Sequence, residues 1–127
     1  MRKNLFWLML FGLFLSCDPM SGSKIYVANN SSYDIIIEID VYEIGKKEVI
    51  ITKGKITELT KVIILGTNAP DPVKHVLQFS IFRAENRKLL KSFKNMRNLY
   101  KEFLVKRGSF GSEMKSYMII ITNESLR

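Results

Sequence analysis

Between Tyr33 and Ile44 the side chains alternate in a way that restricts the fold of the whole chain. Ile35, Ile37, Ile39 and Val41 fall on one side, and Asp34, Glu38, Asp40 and Tyr42 on the other, with Ile36 the exception. Successive side chains of a strand point to opposite faces, so this period of two describes an antiparallel strand with one dry face and one wet face. The dry face requires a second apolar layer to cover it, which predicts a small sheet or sandwich.

Neighbouring segments read the same way. Ile25-Tyr26-Val27 is a short strand candidate stopped by Asn29-Asn30-Ser31-Ser32, and Glu48 to Thr52 is a third strand. Lys53-Gly54 sits between β-branched runs as a tight hairpin turn before a fourth strand, Ile56 to Leu65. Residues 66–72 contain Pro70 and Pro72 and form a loop. Val73 to Phe82 alternates again, and Ser116 to Thr122 is a late apolar strand. The expected core holds Ile35, Ile37, Ile39, Val41, Leu77, Phe79, Ile81 and either Ile119 or Ile120.

From Ala84 to Leu104 the texture changes, with no Val, Ile or Thr. Leu89, Phe93, Met96, Tyr100 and Phe103 recur at the helical period, Asn86 can cap the start, and Gly108 can end the segment. The competing reading is a β-hairpin around Glu85-Asn86 followed by a shorter helix. The fold class expected is mainly antiparallel β (small sheet or sandwich-like) with one amphipathic α-helix near residues 87–105, an α+β domain.

The amino terminus has a different organisation. Arg2-Lys3 precede an eleven-residue apolar stretch, Leu5 to Leu15, broken only by Gly12. As a helix it measures about 16 Å, too short for a hydrocarbon core of about 30 Å, so it reads as a secretory signal. The stretch closes on Cys17, the only cysteine of the chain, so no intrachain disulfide can form.

Leu13-Phe14-Leu15-Ser16-Cys17 resembles the lipobox of bacterial lipoproteins, in which a small residue precedes an invariant cysteine. Phe14 stands where leucine is usual, a looser form that looks like the lipoboxes of spirochaete lipoproteins. The resemblance implies a diacylglyceryl group on the Cys17 sulfur, cleavage before that residue, and anchorage in the bacterial cell envelope. The organisation it implies is a signal peptide at 1–16, a lipidated cysteine and tether at 17–23, and one β-rich domain at 24–127.

Charge is unevenly distributed. Residues 18–72 hold six Lys/Arg against eight Asp/Glu, whereas residues 73–115 hold eleven against three. On the expected helix, Lys88, Lys91, Lys94, Arg97 and Lys101 make a basic face suited to anionic lipid, an acidic envelope polymer or another envelope protein. Nucleic acid is not expected, because no recognition motif is present.

Other polar groups carry less. Asp34, Glu38 and Asp40 are spaced roughly 6.5–7 Å apart along a strand, a solvated face rather than a metal site. His75 is the only histidine, and no Ser-His-Asp, Cys-His or zinc arrangement can be assembled around it. Gly108-Ser109-Phe110-Gly111-Ser112 lacks the Gly-Lys-Ser/Thr ending of a phosphate loop. The expectation is a membrane-anchored, non-catalytic binding or structural module with no cofactor or metal, the alternative being an envelope hydrolase.

Overall fold

A computed structural model of the chain describes residues 19–94 and 99–127. Eight strands form two four-stranded sheets: β1 (Met20–Asn29), β2 (Ile35–Val41), β3 (Gly45–Ile51), β4 (Ile56–Leu65), β5 (Val76–Arg83), β6 (Leu89–Phe93), β7 (Tyr100–Arg107) and β8 (Glu113–Ile121). The first sheet has the order β4-β1-β8-β7 and the second β3-β2-β5-β6. All pairings are antiparallel except β1 with β8, so β1 is a central strand paired on both sides.

The alternation that opens the sequence organises the core. Ile35, Ile37 and Ile39 are fully buried, as is Val41, and they share one cluster with Ile25, Val27, Leu59, Phe79, Ile81, Ile119 and Ile121. That cluster draws on both sheets, which makes the arrangement a sandwich with its core between the inner faces. Ile36 lies on the outer face yet is buried, because Ile50 and Phe82 stand directly opposite it on the two neighbouring strands.

Four expectations need correction. The helix near residues 87–105 is absent: Leu89–Phe93 is β6 and Tyr100–Arg107 is β7, each an edge strand. Only single helical turns, Pro72–His75 and the 3-10 turn Ser109–Gly111, occur among the described residues. The hairpin reading of Glu85-Asn86 is right as far as it goes, but a strand follows it rather than a shorter helix. Register irregularities at Ile81/Phe82 and Glu102/Leu104 break the period of two in both strands. Such bulges make a strand's apolar spacing imitate a helix, and the unpaired edges of β5 and β8 supply the partners that decide for β.

Leu77 is exposed rather than buried, and Val76 takes the core position. The pairing skips a residue there, with Asp40 opposite Gln78 but Val41 opposite Val76. Of the two late candidates, Ile119 is buried and Ile120 exposed. The Lys53-Gly54 turn exists, with Gly54 at φ 79°, yet it joins strands of different sheets and is not a hairpin.

The stretch 18–23 read as tether is, from Met20 onward, part of β1. Small polar residues hide this: Ser21 and Ser23 are buried, and their hydroxyls donate to the carbonyls of Gly66 and Pro70. Between them Gly22 is required by close approach, since a Cβ there would stand 2.8 Å from the Val62 carbonyl oxygen. The signal segment, Cys17, Met96 and Arg97 lie outside the described residues.

Candidate functional site

Three regions bear on function. The first is the basic set, which no helix gathers onto one face. Lys88 ends the β5–β6 turn, Lys91 sits in β6 opposite Ile81 with its ammonium 5.3 Å from the Phe93 ring centroid, and Lys94 follows β6 directly. Lys101 lies in β7 opposite Met118. β6 and β7 are the edge strands of the two sheets, so Lys91 and Lys101 lie on sheet edges, Lys91 on the face of core residue Ile81 and Lys101 on the face opposite that of Ile119. Lysines on edge strands also oppose sheet-to-sheet aggregation, and that role accounts for them without a ligand.

The second region is the end of the sandwich at Asn29 and Arg83. A cavity of about 450 Å³ there is lined by Ser32, Tyr33, Asp34, Lys53, Arg83, Ala84 and Glu85. Two of its charged groups pair with one another, and a third accepts a backbone N–H. The Arg83 guanidinium lies 4.5 Å from the Tyr33 ring centroid, and its Nη2 is 3.2 Å from Glu85 Oε2. Asp34 accepts the Lys53 N–H on its carboxylate at 2.9 Å and the Ala84 N–H on its carbonyl at 2.9 Å. Sequence reasoning missed this cavity, because three separate loops build it and no spacing along the chain joins them.

The acidic residues and the histidine do not converge. Asp34 lines the cavity, whereas Glu38 and Asp40 face outward from β2, opposite Glu48 and Lys46 on β3. Glu48 is taken by Arg87 at 2.8 Å. Among the described residues no group of three His, Cys, Asp or Glu side chains could hold a metal ion. His75 stands at the foot of β5, the other end of that strand from Arg83 and the cavity.

The third region is the end of β1 nearest Cys17. The Pro19 carbonyl accepts the Gly66 N–H at 2.9 Å, so the chain is fixed to the fold two residues after the cysteine. Ser21 Oγ donates to the Gly66 carbonyl at 2.7 Å and accepts the Glu113 N–H at 2.9 Å, and Glu113 Oε1 accepts the Ala69 N–H at 3.1 Å. These bonds lash the 66–70 loop and the start of β8 to the start of β1. Gly111 closes the group, since a Cβ there would stand 3.2 Å from the Thr67 methyl carbon.

Around this end apolar side chains point into solvent. Met20 is 57% exposed, Leu65 70% and Phe110 69%. Phe110 also has φ 60°, a left-handed conformation that an aromatic residue adopts at a cost of roughly 1–2 kcal/mol. Strain of this kind concentrates at working surfaces. Lys106 and Arg107 end β7 beside it, with Arg107 Nε 3.7 Å from Glu113. Close by on the inner face, burial raises the Tyr117 phenol above the ordinary tyrosine value, and the carboxylates of Glu102, Asp71 and Glu113 add to the shift.

No helix among the described residues is long and apolar enough to cross a membrane. In comparisons with known proteins, the chain matches no family model, no curated sequence and no solved structure.

Proposed function

We propose that the chain is the precursor of a bacterial lipoprotein whose mature form is a small β-sandwich held on a membrane of the cell envelope by lipid at Cys17. The observation that carries this reading is the position of the lone cysteine. It closes an apolar stretch too short to span a bilayer, and it stands two residues ahead of a chain already fixed to the folded unit. Two acyl chains on one residue anchor stably where a single chain binds reversibly, at about 0.8 kcal/mol per buried CH₂. Cells fed a fatty-acid analogue are expected to label the protein. Cys17→Ala removes the label and moves the protein from the detergent phase to the aqueous phase of a detergent partition. An unmodified Cys17 in the mature protein would overturn the reading.

The module acts by binding or by structure rather than by catalysis. Supporting this are the separation of His75 from the cavity, the pairing of Arg83 with Glu85 inside it, and basic residues on edge strands that can meet anionic lipid, an acidic envelope polymer or an acidic envelope protein. The mature protein is expected to be retained on an acidic polymer at low ionic strength and released as salt rises, the behaviour of exposed charge. Lys91→Gln, Lys94→Gln and Lys101→Gln together bring elution forward without unfolding. If the unaltered protein passes straight through at low salt, those lysines only guard the sheet edges.

A further inference from the structure

We infer that the domain docks end-on against the bilayer, with Met20, Leu65 and Phe110 entering the lipid interface and Lys106 and Arg107 meeting anionic headgroups. This rests on the lipoprotein reading and adds to it an orientation and a contact surface. The first support is chain length. Residues extend at most about 3.6 Å each, so the Cys17 Cα lies within about 11 Å of that of Met20. The Pro19 carbonyl is itself bonded to Gly66 at 2.9 Å, which leaves Asp18 as the only residue between the cysteine and the bonded chain. A lipid-bearing cysteine on so short a lead forces this end of the sandwich to the membrane surface.

The second support is what the structure presents there. Three large apolar side chains, each more than half exposed, surround the anchoring point. They are grouped by the bonds among Pro19, Gly66, Ser21 and Glu113 and by the close approach of Gly111 to Thr67, which a Cβ at 111 would meet at 3.2 Å. Apolar side chains rimmed by Lys and Arg suit the boundary between acyl chains and headgroups. Lys106 has no ion-pair partner among the described residues, and Arg107 Nε has only Glu113 at 3.7 Å. Basic residues gain from anionic lipid only within a Debye length, about 8 Å at physiological salt, and these two lie where the short lead places the headgroups.

The same geometry assigns the far end. β1 runs ten residues from Met20 to Asn29, about 30 Å at roughly 3.3 Å per residue. The cavity at Tyr33 and Arg83 and the turn carrying Lys88 therefore face away from the bilayer, beyond the reach of its surface charge. A soluble partner meets that end first.

The full sequence contains a single tryptophan, Trp7, which leaves with the proposed signal, so the mature chain has none. Leu65→Trp, Phe110→Trp and, as a distal control, Ile50→Trp each give one reporter at an exposed site. Each full-length variant is expressed, its mature form extracted from membranes, the mass of its Cys17 adduct measured, and the protein reconstituted into vesicles of anionic phospholipid with brominated acyl chains. The expected result is strong quenching and a blue shift for L65W and F110W, with I50W unquenched. Weak quenching at all three positions in acylated, vesicle-bound protein overturns the end-on docking while leaving the anchor intact. Equal quenching at all three overturns it too, since the sandwich then lies on its side. A blue shift at 65 and 110 without lipid quenching also overturns it, because the rim is then covered by a second copy or another protein. A Cys17 without acyl mass removes both the lipoprotein reading and the docking.

Discussion

Phe79→Ala destabilises the domain by about 3–5 kcal/mol, the range for emptying a fully buried phenylalanine site. Phe79 has no exposed surface, lies between Ile39 on β2 and Phe93 on β6, and places its ring 6.1 Å from that of Phe93. Its removal leaves a cavity that both sheets line and neither can close without moving the other. For a unit of roughly 100 residues, each kcal/mol shifts the melting temperature by about 4–8 °C, so thermal unfolding by circular dichroism should fall by more than 10 °C. Leu77→Ala, two residues earlier on the same strand, is the paired control. Its side chain is 53% exposed, and the loss should stay within about 0.5 kcal/mol. Comparable losses at both positions would mean that β5 continues its alternation down to Leu77 and that the skipped register beside Asp40 is wrong.

That contrast marks where sequence reasoning reached its limit. β2 was legible because its inner face is wholly dry and its outer face mostly wet, so burial is written directly into residue type. Leu77 misled because one irregularity in the pairing shifts every earlier residue of β5 to the other face. The edge strands were illegible for a related reason. Each pairs on one side only, each carries an irregularity, and their partly buried residues Leu90, Phe93, Leu99 and Tyr100 approach the core at spacings of three, six and one. No single period describes such a set, and with Val105 the one β-branched residue of the two strands little composition remained to mark them as strands.

The start of β1 was hidden by chemistry rather than spacing. Ser21, Gly22 and Ser23 have the composition of a linker, and hydrogen bonding and close approach bury them instead of apolarity. Reading those residues as linker lengthens the apparent tether from one free residue to six. On the proposed anchor at Cys17, the longer tether would leave the orientation of the domain undetermined, and the shorter one nearly fixes it. Cys17 itself was legible as a position at the end of an apolar run. The exposed apolar group at the start of β1 was not, because Met20, Leu65 and Phe110 come from three distant parts of the chain.

At the opposite end of β1, Asn29→Ala should rank with Phe79→Ala in severity. Asn29 is completely buried, and its amide donates to the carbonyls of Tyr33 at 2.8 Å and Ile51 at 2.9 Å. Its side-chain oxygen accepts the Ser31 hydroxyl at 2.6 Å and the Ser31 N–H at 3.1 Å, while its backbone exchanges bonds with Gly54 and Lys55. This one residue thus joins β1 of the first sheet to β3 of the second and to two of the connections between the sheets, the β1–β2 turn through its side chain and the β3–β4 turn through its backbone. Alanine takes the amide donor from the Ile51 carbonyl and leaves that of Tyr33 with only the Ser31 hydroxyl at 3.2 Å, at about 1–3 kcal/mol for each weakened group, so a loss of about 2–5 kcal/mol is expected in urea unfolding. Asn29→Asp separates this account from simple loss of volume. A carboxylate keeps the acceptor for Ser31 but turns a negative charge toward two carbonyl oxygens, which favours its neutral form in the folded state. A folded pKa raised above the unfolded one means stability that is present at low pH and lost as pH rises through the folded value. N29D should therefore gain stability relative to the unaltered protein on acidification, and N29A should not. If N29D and N29A keep a constant difference from pH 7 to pH 4, the amide is not donating to those carbonyls. The brace between the sheets must then lie elsewhere.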